Sequence, residues 1–171
     1  MAIGGASDDV EIFDVSTKTK IQTIGTDHNE VDELDFNYNN TRLLTCGNDD
    51  HGRVWRMSDY GEFTDVNVFH RALSCKFGDT GEFVVSDDNG DSYTYSSSGS
   101  RYLRYYPYSK AYDCDFRPGS TYFIAVNTNK EAYEFYAPSY SGTFQTFTEA
   151  SDELLTTSYA LDASYFMTAG K

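Results

Sequence analysis

The chain has 171 residues, with thirteen basic and twenty-seven acidic side chains and a formal net charge of −14. That balance excludes partners held through phosphate contacts, nucleic acid and anionic membrane surfaces alike, because such binding rests on Lys and Arg neutralising phosphates. The length suits one domain with a substantial core, and fifteen Tyr and twelve Phe suit pleated, half-buried strands.

Met1 to Val10 lacks the basic start and apolar stretch of a signal peptide, and no run approaches the ~18 apolar residues of a membrane span. The expected placement is therefore cytoplasmic or cytoskeletal. Apolar residues never recur at i, i+3, i+4 and i+7 across the ~10 to 12 residues a helix needs, so an all-β chain is expected. Ala2-Ile3-Gly4 reads as a strand, and a second strand-like segment closes at Phe13. Val31 to Phe36 alternates polar and apolar residues, Asn37 to Thr41 is turn chemistry, and Arg42 to Cys46 is a strand. Asn48 to Gly52 supplies Asn, Asp and Gly, which tolerate the left-handed backbone of hairpins; strands at Arg53 to Met57 and Glu62 to Phe69 follow. The pattern returns as Ala72 to Phe77, Glu82 to Ser86, Ser92 to Tyr95 and Tyr102 to Tyr106, and a third unit runs from Ala111 to Phe147.

These segments recur at matched stations. A first aromatic stands at Phe36, Phe77, Phe116 and Tyr159, with Leu43, Val84, Phe123 and Phe166 seven positions on. A second stands at Phe13, Trp55, Tyr95 and Phe135, at intervals of 42, 40 and 40 residues. Self-similarity at roughly 40 to 45 residues of short strands is the signature of propeller blades. The expected division is a partial blade at 1–25, blades at 26–69, 70–109 and 110–149, and a partial blade at 150–171.

The units resemble WD40 repeats. Phe77-Gly-Asp-Thr-Gly81 and Phe116-Arg-Pro-Gly119 match that family's corner, and Ile3-Gly-Gly-Ala-Ser-Asp-Asp9 matches its small-residue strand and Asp-rich turn. Phe13-Asp14 and Trp55-Arg56 stand for the terminal Trp-Asp, and Thr26-Asp-His28 and Phe69-His70 for the Gly-His pair. The resemblance implies a β-propeller with about four blades here, part of a larger one of about seven, completed by further chain or by a sister chain. It also implies that a His such as His28 or His70 bonds an Asp of the turn and a Ser or Thr of the blade. The function implied is a non-catalytic scaffold that holds other proteins together, with a propeller-fold enzyme such as a glycosidase, or a purely structural subunit of a large assembly, as the alternatives.

Neither catalytic motifs nor a cofactor site is expected. Gly-x-Ser-x-Gly, the Gly-rich phosphate loop and His-Glu-x-x-His are missing from the sequence, and with them the common hydrolase, nucleotide and zinc-protease signatures. His28, His51 and His70 lack partners at ligand spacing. Asp87-Asp88-Asn89-Gly90-Asp91 lacks the Glu that would close a Ca²⁺ loop and aligns with Asp8-Asp9 and Asp49-Asp50 as a repeat turn. Asp113 and Asp115 share one strand face opposite Cys114, an ordinary polar-out pattern. Cys75 and Cys114 hold one repeat station and, with Cys46, read as small core side chains. The stretch from Arg101 to Tyr112 gathers Tyr and basic residues, the types that anchor interfaces, so Arg101, Tyr102, Arg104, Tyr105, Tyr106, Tyr108 and Lys110 are the expected partner-binding residues.

Overall fold

The computed structural model describes residues 1–106, 109–138 and 143–170. Among them there is no helix; every regular element is a strand, and every strand pairs antiparallel with its neighbour in sequence. The first sheet holds β1 (Ala2–Ile3), β2 (Asp9–Asp14) and β3 (Thr19–Gly25). A four-stranded sheet follows, of β4 (Val31–Phe36), β5 (Arg42–Gly47), β6 (His51–Arg56) and β7 (Glu62–Asn67). The next two are β8 (Ala72–Phe77), β9 (Phe83–Asp87), β10 (Ser92–Tyr95) and β11 (Arg101–Tyr105), then β12 (Ala111–Phe116), β13 (Tyr122–Asn127), β14 (Ala132–Tyr136) and β15 (Thr143–Phe147). β16 (Leu154–Tyr159) and β17 (Phe166–Gly170) pair as the last sheet.

Turn chemistry sets the hairpins. Asp50, Gly90 and Lys130 hold one station of the β5–β6, β9–β10 and β13–β14 turns, and all three have positive φ, 68°, 97° and 68°. Only the middle turn fills that station with the residue that adopts it without strain. His51 and Gly52, expected in the turn, already belong to the ladder, with His51 opposite Asn67 and Gly52 opposite Val66.

The register corrects one sequence expectation. Phe36 faces Leu43, Phe116 faces Phe123 and Tyr159 faces Phe166, but Phe77 faces Phe83 and not Val84. The corner after β8 is one residue shorter: Gly78 N–H bonds the Glu82 carbonyl, where Asn37 reaches Arg42 and Arg117 reaches Tyr122. Because strand side chains alternate in direction, a one-residue slip moves Val84 to the opposite face. Val84 accordingly packs with Phe116 and Phe123 of the next sheet, while Phe83 packs back against Leu44 and Val54.

The core lies between successive sheets, not within any one of them. Val10, Ile12 and Ile24 meet Val31, Leu43 and Trp55; Leu44, Val54 and Val66 meet Cys75, Phe83 and Tyr95. Val84, Leu103 and Tyr105 meet Cys114, Phe123 and Phe135, and Ile124, Val126 and Ala132 meet Leu154. Both faces of β5, β9 and β13 are thereby buried, so these strands read as continuous apolar runs without alternation. Each large apolar side chain so covered contributes about 1.5–3 kcal/mol. Stacked rings add to this at Phe83–Tyr95 and Phe123–Phe135, with centroids 4.9 and 5.2 Å apart. The first strands of the sheets also lie side by side, β4 by β8, β8 by β12 and β12 by β16.

Candidate functional site

His28, in the loop between β3 and β4, has no exposed surface and ends a polar relay through the second sheet. Trp55 Nε1 donates to Thr45 Oγ1 at 3.0 Å, Thr45 Oγ1 lies 2.8 Å from His28 Nε2, and His28 Nδ1 lies 2.7 Å from Asp49 Oδ1. An indole N–H can only donate, so the Thr45 hydroxyl oxygen accepts from Trp55, while His28 Nδ1 is faced by the Asp49 carboxylate and, at 2.9 Å, by Arg53 Nη1. Burial lowers the His28 pKa against the opposing pull of Asp49, and the nearby Arg53 guanidinium lowers it further, which favours the neutral ring. Burial opposes ionisation of Asp49, but hydrogen bonds from His28 and Arg53 outweigh it and hold that carboxyl below its usual value.

His70 does not share these surroundings. It is exposed on the loop before β8, and counting back from the first strand residue places Phe69, not His70, at the station of His28: each lies three residues before Val31 or Ala72. Trp55, Tyr95 and Phe135 do share a station, opposite Leu43, Phe83 and Phe123, and all are buried. Phe13 is half-buried and bonds Met1 through its backbone.

The paired carboxylates correct the polar-out expectation. Glu33 Oε2 accepts the Cys75 N–H and Asp35 Oδ2 the Phe77 N–H, each at 2.9 Å. Asp113 Oδ2 accepts the Thr157 N–H and Asp115 Oδ2 the Tyr159 N–H, each at 2.8 Å. β8 and β16 are edge strands whose outward N–H groups lack a ladder partner, and the carboxylates of the preceding sheet supply one. At the same stations of β8 stand Ser74 and Lys76. Ser74 Oγ bonds Asp113, and Lys76 Nζ lies 2.7 Å from Glu33 Oε1. Burial raises the pKa of Glu33, Asp35 and Asp115. These groups hold sheets together and are committed to backbone donors.

Asp87 likewise departs from its sequence alignment. It stands at the station of Gly47 and Asn127, where its Oδ1 caps the turn by accepting the Asn89 and Asp91 N–H groups while its buried Oδ2 has no partner. Burial, with the Asp91 carboxylate adding, pushes its pKa up to about 6. A carboxyl whose folded pKa is raised contributes full stability below its unfolded value, here 3.8, and loses it as pH rises through about 6. Asp87→Asn is therefore expected to be the more stable chain by up to about 3 kcal/mol near pH 7 and to match the parent near pH 4. Urea unfolding of both chains at the two pH values checks this, and a difference independent of pH would contradict it.

The expected partner-binding strip divides by side. Leu103 and Tyr105 turn inward, and the Tyr105 O–H donates to the Tyr136 carbonyl at 2.7 Å. Arg101, Tyr102, Tyr106 and Lys110 are exposed, and Tyr108 lies outside the described residues. Arg104 pairs with Asp91 at 2.5 Å, with its guanidinium over the Tyr106 ring at 4.5 Å and the Tyr93 ring at 5.4 Å. Phe69, which sequence reasoning did not single out for binding, is 57 % exposed and meets Tyr93 of β10 at 6.2 Å, joining that strand to the loop before β8. Cys46, Cys75 and Cys114 are free and buried. Among the described residues no group of three or more His, Cys, Asp or Glu side chains is arranged to hold a metal ion. Neither a protein-family model nor a curated protein matches this chain.

Proposed function

We propose that the chain is a WD40-like β-propeller portion that serves as a non-catalytic scaffold for other proteins, with blades at 26–69, 70–109 and 110–149 and partial blades at 1–25 and 150–171. The observation that carries the reading is the serial stacking of antiparallel sheets, in which β5, β9 and β13 are buried on both faces and β4, β8, β12 and β16 lie side by side. The His28–Asp49–Thr45–Trp55 relay supports it as well, since the resemblance implies the His, Asp and Thr bonds. Carboxylates held by backbone N–H groups weigh against the glycosidase alternative, which needs them free to protonate or attack substrate. Partners are other proteins, engaged through the exposed Tyr and Arg of β11 and its loop, and the propeller is completed by further chain or a sister chain in the cytoplasm or cytoskeleton.

Quantitative capture from an extract of the source cells tests the reading, using immobilised parent chain and an Arg101→Glu/Tyr102→Ser/Tyr106→Ser variant. The parent should retain one or a few proteins in near-equimolar amount, and the variant, with an unfolding temperature close to the parent's, should lose them. Equal retention by both chains, or hydrolysis of a glycoside panel by the parent, would contradict the proposal.

A further inference from the structure

The contact between the fourth and fifth sheets breaks the repeat at three converging positions. Glu134 faces Ile124 across β13 and β14, where the second and third sheets place Val54 opposite Leu44 and Thr94 opposite Val84. Tyr159 holds the station of Phe36, Phe77 and Phe116, and Arg117 follows Phe116 where Asn37 follows Phe36 and Gly78 follows Phe77. A charge at an inter-sheet station is costly unless well paired. Glu134 is only 7 % exposed at its side chain, yet its pairing is thin: the Tyr159 O–H donates to Oε1 at 2.6 Å, and Arg117 Nη1 stands 3.6 Å away, beyond hydrogen-bond reach. A carboxylate has room for about four donors.

These residues line an open cleft of about 330 Å³ whose other walls are the aromatic Phe147, Tyr165 and Phe166 with Gln145, Ala163 and Ser164. Phe166 stands edge-on to both Phe147 and Tyr159, with centroids 4.8 and 5.8 Å apart. Burial and the bond to Glu134 keep the Tyr159 phenol protonated, so it acts as a fixed donor that holds the carboxylate in place. An under-coordinated carboxylate beside three aromatic side chains suits a flat or compact cation, which gains from the rings and from the charge together. The chain's net charge of −14 attracts the same sign. Arg117, 39 % exposed at its side chain, stands where such a cation would lie and occupies the place loosely.

We propose that this cleft receives the side-chain cation, guanidinium or ammonium, of a basic segment in a partner protein, with Glu134 as its counter-ion, Tyr159 as the positioning residue and Arg117 as an internal competitor. The inference rests on the scaffold reading and names the partner chemistry of a second surface, separate from β11.

The test is a heteronuclear NMR titration of the full chain with acetylated, amidated Gly-Arg-Gly and Gly-Lys-Gly, and with Gly-Gln-Gly as the neutral control. Saturable shifts confined to Phe147, Tyr159, Tyr165 and Phe166 are expected for a cationic peptide at about 1 mM, the weak end of specific recognition. Glu134→Gln should weaken this binding about tenfold or more, whereas Arg117→Asn, the residue of the second sheet's corner, should tighten it. Opposite signs from the two partners are what a purely structural pair would not give. Glu134→Val, the residue of the second sheet at this station, provides a second, well-packed loss-of-charge variant that should also fail to bind. Binding of neither cationic peptide, equal binding of the neutral one, or binding unchanged by Glu134→Gln would overturn the proposal. Capture through β11 is measured separately, so failure at the cleft leaves that result standing.

Discussion

Thr45→Val is expected to lower the free energy of unfolding by about 3 kcal/mol, a large loss for a substitution that changes almost no volume. Thr45 has no exposed surface, and its hydroxyl joins Trp55 Nε1 at 3.0 Å to His28 Nε2 at 2.8 Å. Val fills the same space but leaves an indole N–H and an imidazole nitrogen unpaired, each costing about 1–3 kcal/mol when water cannot replace the partner. Thr45→Ser keeps the hydroxyl and removes one methyl group, so its cost should be nearer 1 kcal/mol. Urea unfolding of the two variants beside the parent separates the contributions. If Ser and Val cost the same, the relay is not what stabilises this sheet.

Asp113→Ala is expected to cost about 2–3 kcal/mol and to loosen the last sheet selectively. Four donors converge on this carboxylate: Ser74 Oγ at 3.0 Å and Cys114 N–H at 2.9 Å on one oxygen, Thr156 Oγ1 at 2.7 Å and Thr157 N–H at 2.8 Å on the other. Removing it strands the Thr157 N–H on an edge strand and weakens the polar links from β12 to both neighbouring first strands, leaving those of the Tyr159 N–H to Asp115 and the Cys114 N–H to Ser74. Hydrogen exchange should report the asymmetry. The Thr157 amide should exchange more than about tenfold faster, while the interior amides of β5 and β9 keep the parent's protection. Uniform acceleration across all sheets would mean that Asp113 supports the chain globally and not as a local tie.

The strand content was legible because aromatic and β-branched runs punctuated by Asn, Asp and Gly leave little alternative to antiparallel hairpins. The forty-residue spacing located Trp55, Tyr95 and Phe135 at one shared station, as their cross-strand partners Leu43, Phe83 and Phe123 show. Matching by fixed offset failed where a corner lost one residue, since Val84 and Phe83 are both apolar and nothing in composition tells them apart. The same difficulty misplaced His70, which lies one residue from the station of His28 and is exposed.

The carboxylate ties were illegible for a different reason. Alternation along β4 and β12 gives the face of Glu33, Asp35, Asp113 and Asp115 correctly, but a polar face reads as solvent-facing unless the neighbouring sheet is known. Their donors lie 42 to 44 residues away in sequence. The departures at Arg117, Glu134 and Tyr159 were visible in principle as breaks in the repeat. Glu134 carried the clearest signal, a charged residue between Tyr133 and Phe135 in a strand whose counterparts hold Val54 and Thr94.

The central physical claim is that side-chain carboxylates of β4 and β12 satisfy the edge strands β8 and β16 of the next sheets, while Ser74 of β8 ties β8 to β12. Amide hydrogen exchange of the folded parent chain tests this most directly at Cys75, Phe77, Thr157 and Tyr159, whose N–H groups face Glu33, Asp35, Asp113 and Asp115. These four amides are expected to exchange as slowly as the interior ladder amides of β5 and β9. Exchange at the rate of the exposed turn amides would contradict the account.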